Sequence, residues 1–536
     1  MKPTRHARVR HRFAAIATIV SGLTPLVLLT GPTPAHAAID PGHPDFDGDG
    51  IADWAVGAAG ENNGAGGVYT FYGADPKTTA RTQYWTQDTP GIQGTSHVDD
   101  AFGAAVVAAD FNNDGFSDLA IGVPGERVGG RRNAGGVQVI YGSVTGLQPA
   151  GNEFWTQDRG AIQSRSEVNE LFGTSLAAGD FDADGRSDLA VGAPGELVGR
   201  APGAGAAFVL RGCACGLTDA KSQRFTQDVS GMPGTAGRDD NFGFSLAVGT
   251  FGGDAIDDLA IGVPGDRVSN RVGAGGVHVL RGRATAGLTA NGGQFWNEPL
   301  LQLPETNGAE EYDFFGFSIA AGDLNLDGVD DIAVGAPGEY SGSIPFSGAV
   351  MTIFGDGSML GRAGAQYLSQ DTPDMPGKNT KFQEFGHTVH VAPIGNVDGG
   401  VADDFLVIGV PYEDINGVAD AGLVHVLPPS VSGVVASGSA MWHLDSNGLA
   451  GDPTIGGWFG ITLGSVDTDA DGQSELLVGS PGEDVGDVLG AGGVTRFGDE
   501  GAEPTASGSF HRTEASDVVS GRAARTDFFA SALTSG

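Results

Sequence analysis

The sequence predicts an all-β fold, a seven-bladed β-propeller with about four antiparallel strands per blade and a ring closed by N- and C-terminal strands. Three observations carry this expectation. The 536 residues include 91 glycines and 27 prolines, a Phe-Gly pair recurs with a nearly constant period, and an acidic loop recurs seven times.

Glycine and proline at this density, with few long stretches of helical periodicity, suit many short strands joined by tight turns. The pairs are Phe102-Gly103, Phe172-Gly173, Phe242-Gly243, Phe315-Gly316, Phe385-Gly386 and Phe459-Gly460, separated by 70, 70, 73, 70 and 74 residues. A period of this kind marks a repeat architecture. Each pair opens an alternating run such as 172–180, followed by an acidic loop, an apolar run such as 189–194, a glycine-rich segment leading into 207–210, and an aromatic segment at 225–228. Four short strands per repeat is the blade pattern.

The acidic loops begin near Asp45, Asp110, Asp180, Thr250, Asp323, Ile394 and Asp467. The first has no Phe-Gly strand before it. Conversely, the segment 526–533 matches 312–319 and has no acidic loop after it. The two ends are complementary halves of one repeat, and pairing them would remove exposed sheet edges. Residues 38–536 are therefore expected to form one domain; an open array is the alternative.

In the loop at 180–188, carboxylates of Asp180, Asp182, Asp184 and Asp188 stand at positions 1, 3, 5 and 9, with Gly185 at position 6 and the backbone carbonyl of Arg186 at position 7. Alternate residues of a tight loop converge on one point, and hard calcium takes several oxygens at about 2.3–2.6 Å. The same set recurs as Asp45, Asp47, Asp49, Ile51 and Asp53; as Asp110, Asn112, Asp114, Phe116 and Asp118; as Asp323, Asn325, Asp327, Val329 and Asp331; and as Asp467, Asp469, Asp471, Gln473 and Glu475. About five Ca2+ sites are expected. Metal-free Asp-Gly turns are the simpler alternative. An EF-hand is excluded, because position 12 is Ile121 or Val191 where a bidentate Glu is required. The loop at Thr250 lacks carboxylates at positions 1 and 3, and the one at Ile394 carries an insertion before Asp404, so neither is expected to hold calcium tightly.

With Gly192-Ala-Pro194, Gly335-Ala-Pro337 and their near copies at Gly122, Gly262, Gly409 and Gly479, the Phe-Gly strand and the acidic loop resemble the FG-GAP repeats of integrin α chains across essentially the whole mature chain. The resemblance implies structural calcium on one face of a propeller and ligand-binding loops on the other. It implies a binding or adhesion module for an extracellular protein or glycan, with only the calcium ligands carried over. The leg domains, membrane span and inserted domain of integrins have no counterpart, which separates the chain from integrin signalling. The rival is a secreted hydrolase or polysaccharide lyase built on a propeller, since FG-GAP repeats also accompany phospholipase D chains specific for glycosylphosphatidylinositol. No segment is left over for a catalytic domain, and binding is preferred to catalysis.

Residues 1–37 read as an export signal: Lys2, Arg5, Arg8, Arg10 and Arg12, an apolar stretch from Phe13 to Leu29, and the small-x-small site Ala35-His36-Ala37. A secreted, extracellular protein is expected, a monomer without a membrane span. A formal net charge of −37 excludes generic nucleic-acid binding. Cys213 and Cys215 suggest a local disulfide in an oxidising compartment; free thiols, a redox pair or a zinc half-site are the alternatives.

The loops after the Gly-Ala-Pro segments carry Arg127, Arg131, Arg132, Arg200, Arg267 and Arg271 in one sector, and Glu413, Asp414, Glu483, Asp484 and Asp487 in another. Such a split could orient a charged partner, or be a solvated surface. The acid opening these loops (Glu61, Glu126, Glu196, Asp266, Glu339, Glu483) and the aromatics Trp85, Trp155, Phe225, Trp296, Tyr367, Trp442 and Phe510 recur once per repeat, which favours structural roles. Ser175, Ser245 and Ser318 lie in Gly-x-Ser-x-Ala strings without the second Gly of a nucleophile elbow. His387 and His390, three apart, would point to opposite faces of a strand.

Overall fold

The computed structural model describes residues 44–534 apart from 74–80, 161, 163, 307, 398–401, 499–502, 514–515 and 517–525. Residues 1–37, expected to be an export signal, lie outside the described residues. The chain forms seven four-stranded antiparallel sheets, the blades of the expected propeller. Blades 2 to 7 are built from consecutive strands spanning 106–155, 176–225, 246–296, 318–368, 388–442 and 462–513.

Blade 1 is composite. Its strands Trp54–Ala58, Gly67–Phe71 and Thr82–Trp85 come from the N-terminal side, and its innermost strand is Phe529–Leu533. That strand pairs antiparallel with the first, Val56 opposite Leu533 and Gly57 opposite Ala532. Phe529 and Leu533 then pack with Trp54, Tyr69 and Phe71 of blade 1 and with Val466, Leu477 and Val494 of blade 7. Burying each such side chain contributes about 1.5–3 kcal/mol, so the closing strand seals the last inter-blade core.

Strand sequence follows position in the blade. Second strands such as Asp118–Val123 and Asp188–Ala193 are buried along their whole length, because both sheet faces meet neighbouring blades; they are accordingly continuous runs of Leu, Ala, Ile, Val and Gly. The outermost strand of blade 2, Gln148–Trp155, is exposed at its centre, at Ala150 and Gly151. Its terminal Trp155, like Trp85 and Phe225, is buried against the core, while Trp296, Tyr367, Trp442 and Phe510 are partly buried against it. The recurring aromatics are packing residues.

The Phe-Gly pairs lie just before the innermost strands, in the crossing from one blade to the next. Phe102 bridges Gly66 of the preceding blade, Phe172 bridges Gly135, and Phe242 bridges Gly205; all three rings are fully buried. Gly173 has φ +92° and its carbonyl oxygen meets the Cα of Gly122, where a Cβ would collide with it. The Phe-Gly and Gly-Ala-Pro glycines are thus two halves of one inter-blade contact. Beside it, the hydroxyls of Ser175, Ser245 and Ser318 donate to the carbonyls of Gly243, Gly316 and Gly386, at 2.8, 2.8 and 3.0 Å. Buried and engaged with carbonyls, these serines tie blades together.

Cys213 and Cys215 are joined by a disulfide across the turn between strands Ala206–Cys213 and Gly216–Phe225. His387 faces Glu384, with Nδ1 3.0 Å from its carboxylate, whereas His390 Nε2 is 3.1 Å from Ser465 Oγ. His387 stands just before the strand Thr388–Gly395 that carries His390, so the two rings have different surroundings without sharing that strand.

Candidate metal centres

In blades 2 to 5 and 7 the acidic loop joins the innermost strand to the second strand, as 110–118 joins Val106–Ala109 to Asp118–Val123, and in blade 1 the loop at 45–53 leads into the second strand, Trp54–Ala58. These loops therefore lie on one face of the ring. The loops joining second to third strands, on antiparallel neighbours, lie on the other.

The loop is wound on its own first carboxylate. Asp45 accepts from the backbone N–H groups of Gly48 and Gly50, at 2.6 and 2.9 Å. Asp110 accepts from Asp114 and Gly115, Asp180 from Asp184 and Gly185, Asp323 from Asp327 and Gly328, and Asp467 from Asp471 and Gly472, all at 2.8–3.3 Å. Position 5 then accepts from the N–H of position 7: Asp49 from Ile51, Asp114 from Phe116, Asp184 from Arg186, Asp327 from Val329 and Asp471 from Gln473. Such Asx turns explain why Asp stands at both positions. The turn also needs left-handed backbone at position 6, where Gly185 has φ +86°, and at position 4, where Ala183, Leu326 and Ala470 adopt φ of 55–62°.

Position 9 is buried and does a second job. Asp53 accepts from Phe46 N–H and Gly73 N–H, both at 2.7 Å; Asp118 accepts from Phe111 and Gly142, and Asp331 from Leu324 and Gly355. It staples the loop to the end of the third strand. Asp258 makes a similar pair of bonds, to Gly252, one residue later in its loop, and to Gly282, in the loop that lacks carboxylates at positions 1 and 3. The ninth residue is therefore structural with or without a cation. Burial pushes the carboxyls of Asp53 and Asp331 up to about 8 and that of Asp188 up to about 7.

Position 3 is different. Asp47 Oδ1, Asp182 Oδ1 and Asn325 Oδ1 are buried and accept no hydrogen bond, an arrangement that costs about 1–3 kcal/mol per atom unless something else satisfies it. Three loops gather carboxylate oxygens within 4.8 Å of one another: Asp45, Asp47 and Asp53; Asp180, Asp182 and Asp184; and Asp467, Asp469 and Asp471. The loops at Asp110 and Asp323 have an amide, Asn112 or Asn325, at the third position. Oxygen-only donors with orphaned third-position atoms fit a hard divalent cation.

Three arginines escape a reading confined to the loops. Arg211 Nη1 lies 2.6 Å from Asp188 and 3.3 Å from Asp182, Arg281 Nη2 lies 2.7 Å from Asp254, and Arg496 pairs with Glu475 and donates to Thr468 Oγ1. Each sits at the end of a third strand. In the Thr250 loop the guanidinium of Arg281 supplies positive charge beside the remaining carboxylate. In the Asp180 and Asp467 loops it neutralises part of the expected ligand set. The recurrence of Val-Leu-Arg-Gly at 209–212 and 279–282 was the available signal. In the Ile394 loop, Asp398 and Gly399 lie outside the described residues; Asp404 accepts from Asp323 N–H of the preceding blade at 2.9 Å.

On the opposite face, Arg127, Arg132, Arg200, Arg267 and Arg271 are exposed, as are Asp414 and Asp487. The acid that opens these loops is largely engaged internally: Gln87 donates to Glu126 and Gln157 to Glu196, both at 2.5 Å, and Ser480 donates to Glu483 at 2.6 Å.

A family model described as FG-GAP repeat matches residues 102–140, 172–210 and 315–350, in blades 2, 3 and 5. Phosphatidylinositol-glycan-specific phospholipase D of Homo sapiens is 26% identical over 400 residues, covering 71% of this chain and 43% of that protein. Integrin alpha-5 of Xenopus laevis is 29% identical over 252 residues, covering 46% of this chain and 20% of the integrin. The chain thus spans less than half the length of these relatives. An exotype rhamnogalacturonan lyase, YesX, superposes over 84% of this chain and 72% of its own with a TM-score of 0.39 and 12% identity, a likeness too low to bear on activity.

Proposed function

We infer that this chain, an FG-GAP-repeat protein resembling the N-terminal propeller of integrin α chains, is an exported binding module whose acidic loops hold calcium and whose opposite face engages an extracellular protein or glycan. The observation that carries the calcium is the orphaned third-position oxygen of Asp47, Asp182 and Asn325 inside loops already wound to converge, a winding the other two loops share. All five loops named from the sequence are assigned to calcium, with the Asp180 and Asp467 loops weaker because Arg211 and Arg496 share their carboxylates. The resemblance to integrins supports binding, and the exposed arginines and carboxylates opposite the loops offer a charged surface for it.

The similarity to a phospholipase D supports a hydrolase as the second reading. A glycan and extracellular-protein array, probed with and without calcium beside phosphodiester, ester and polysaccharide substrates, separates the two. Calcium-dependent capture without turnover is expected; turnover abolished by one loop substitution would overturn the binding reading.

A further inference from the structure

On the face away from the acidic loops, blades 4 and 5 meet differently from blades 1 and 2 and from blades 2 and 3. At the first two such junctions, the glutamine two residues after the outer-strand Trp, Gln87 or Gln157, donates its amide to the Glu that opens the following blade's loop. At the junction of blades 4 and 5 the corresponding residue is Glu298, two after Trp296, and it faces Glu339. The amide donor has become a third acid, because Asp313, two residues before Phe315, completes the group.

All three side chains are essentially without solvent exposure: Glu298 2%, Asp313 0% and Glu339 0%. Both carboxylate oxygens of Glu298, both of Glu339 and Oδ1 of Asp313 have no hydrogen-bond partner. Only Asp313 Oδ2 is satisfied, by Glu310 N–H at 2.5 Å. One oxygen from each residue lies within 4.8 Å of the others. Three like charges this close and this dry repel strongly and are desolvated. A protein can relieve that by protons or by a cation. Burial indeed lifts Glu339 to about 9 and Asp313 to about 7 when nothing else neutralises them.

We propose that Glu298, Asp313 and Glu339 bind one hard divalent cation, calcium, at the junction of blades 4 and 5, as a site separate from the acidic loops. The donors are oxygen only, which selects hard cations over zinc or copper. Their separation accommodates metal–oxygen distances of about 2.3–2.6 Å. A divalent ion leaves one negative charge on the group, and Arg271 acts on Asp313 from outside it. The cation takes the place of the glutamine amide at the first two junctions and fastens blade 4 to blade 5 from this face.

The test counts calcium per chain by mass spectrometry of the metal after chelator stripping and dialysis against calcium. Wild type is compared with Glu298→Gln, which restores the glutamine found at the first two junctions, and with Asp47→Ala in the first acidic loop. Glu298→Gln is expected to hold one ion fewer than wild type, whatever Asp47→Ala does. Equal counts in wild type and Glu298→Gln would overturn the inference and show that protons neutralise the group. An Asp47→Ala chain that loses nothing would count against the loop assignment alone. If Glu298→Gln does not fold, Glu339→Gln is judged by the same two results.

Discussion

Within one acidic loop, neighbouring aspartates have separable duties. Positions 1 and 5 shape the turn, position 9 staples it to the blade, and position 3 offers, at Asp47, Asp182 and Asn325, an oxygen with no protein partner. Asp258→Asn should therefore destabilise the fold by about 1–3 kcal/mol, since an amide cannot accept both backbone N–H groups, and urea unfolding should give the same loss in calcium and in chelator. Asp47→Ala should behave oppositely. It should remove only the calcium-dependent increment, about 0.4–1.4 kcal/mol for an extracellular-type site at millimolar calcium. The loop pattern was legible because it recurs at fixed offsets; the partition of labour was not, since it depends on which N–H each oxygen meets. Arg211, Arg281 and Arg496 were hidden for a related reason, reaching the loops across the sheet from third strands. His278 gives a pH test. It is fully buried, neither ring nitrogen has a partner, and burial holds its pKa down to about 3. The unfolded chain takes up this proton near pH 6.5 and the folded chain only near 3, so the ring's contribution is complete above about 6.5 and is lost as pH falls. At pH 5 the loss is about 2 kcal/mol. His278→Phe, packing against Phe242 and Phe295, should flatten the stability profile between pH 7 and 5; an unchanged slope would contradict this.

At the scale of the element, blade contacts depend on backbone approaching backbone. Gly192 packs against the Gly243 carbonyl and Ser175 Oγ, with no room for a Cβ. Gly192→Ala is expected to lose about 1–3 kcal/mol by overpacking, read as a lower urea midpoint with an unchanged slope. The strands were legible from their apolar runs, and the recurring aromatics from their period. The Phe-Gly motif was placed at the opening of a strand, whereas the structure sets it in the crossing between blades. The apolar pattern cannot separate an innermost strand from the bridge residue that precedes it, because both are buried without interruption.

For the whole molecule, the ring is closed by sharing blade 1 between the chain ends, which was legible because those ends carry complementary halves of one repeat. The junction of blades 4 and 5 was not, although Glu298 departs from the glutamine of Trp-Thr-Gln at 85–87 and 155–157; its meaning appears only when Asp313 and Glu339 are brought to it. The account holds that calcium in the acidic loops stiffens a propeller whose fold is set by inter-blade packing. Five independent sites at about 0.4–1.4 kcal/mol each amount to a few kcal/mol. For a chain of this size that corresponds to a rise of a few degrees in melting temperature. The direct measurement is the melting temperature of the mature chain in millimolar calcium and in chelator: the account predicts a rise of a few degrees with calcium and a folded protein in both, and equal melting temperatures would contradict it.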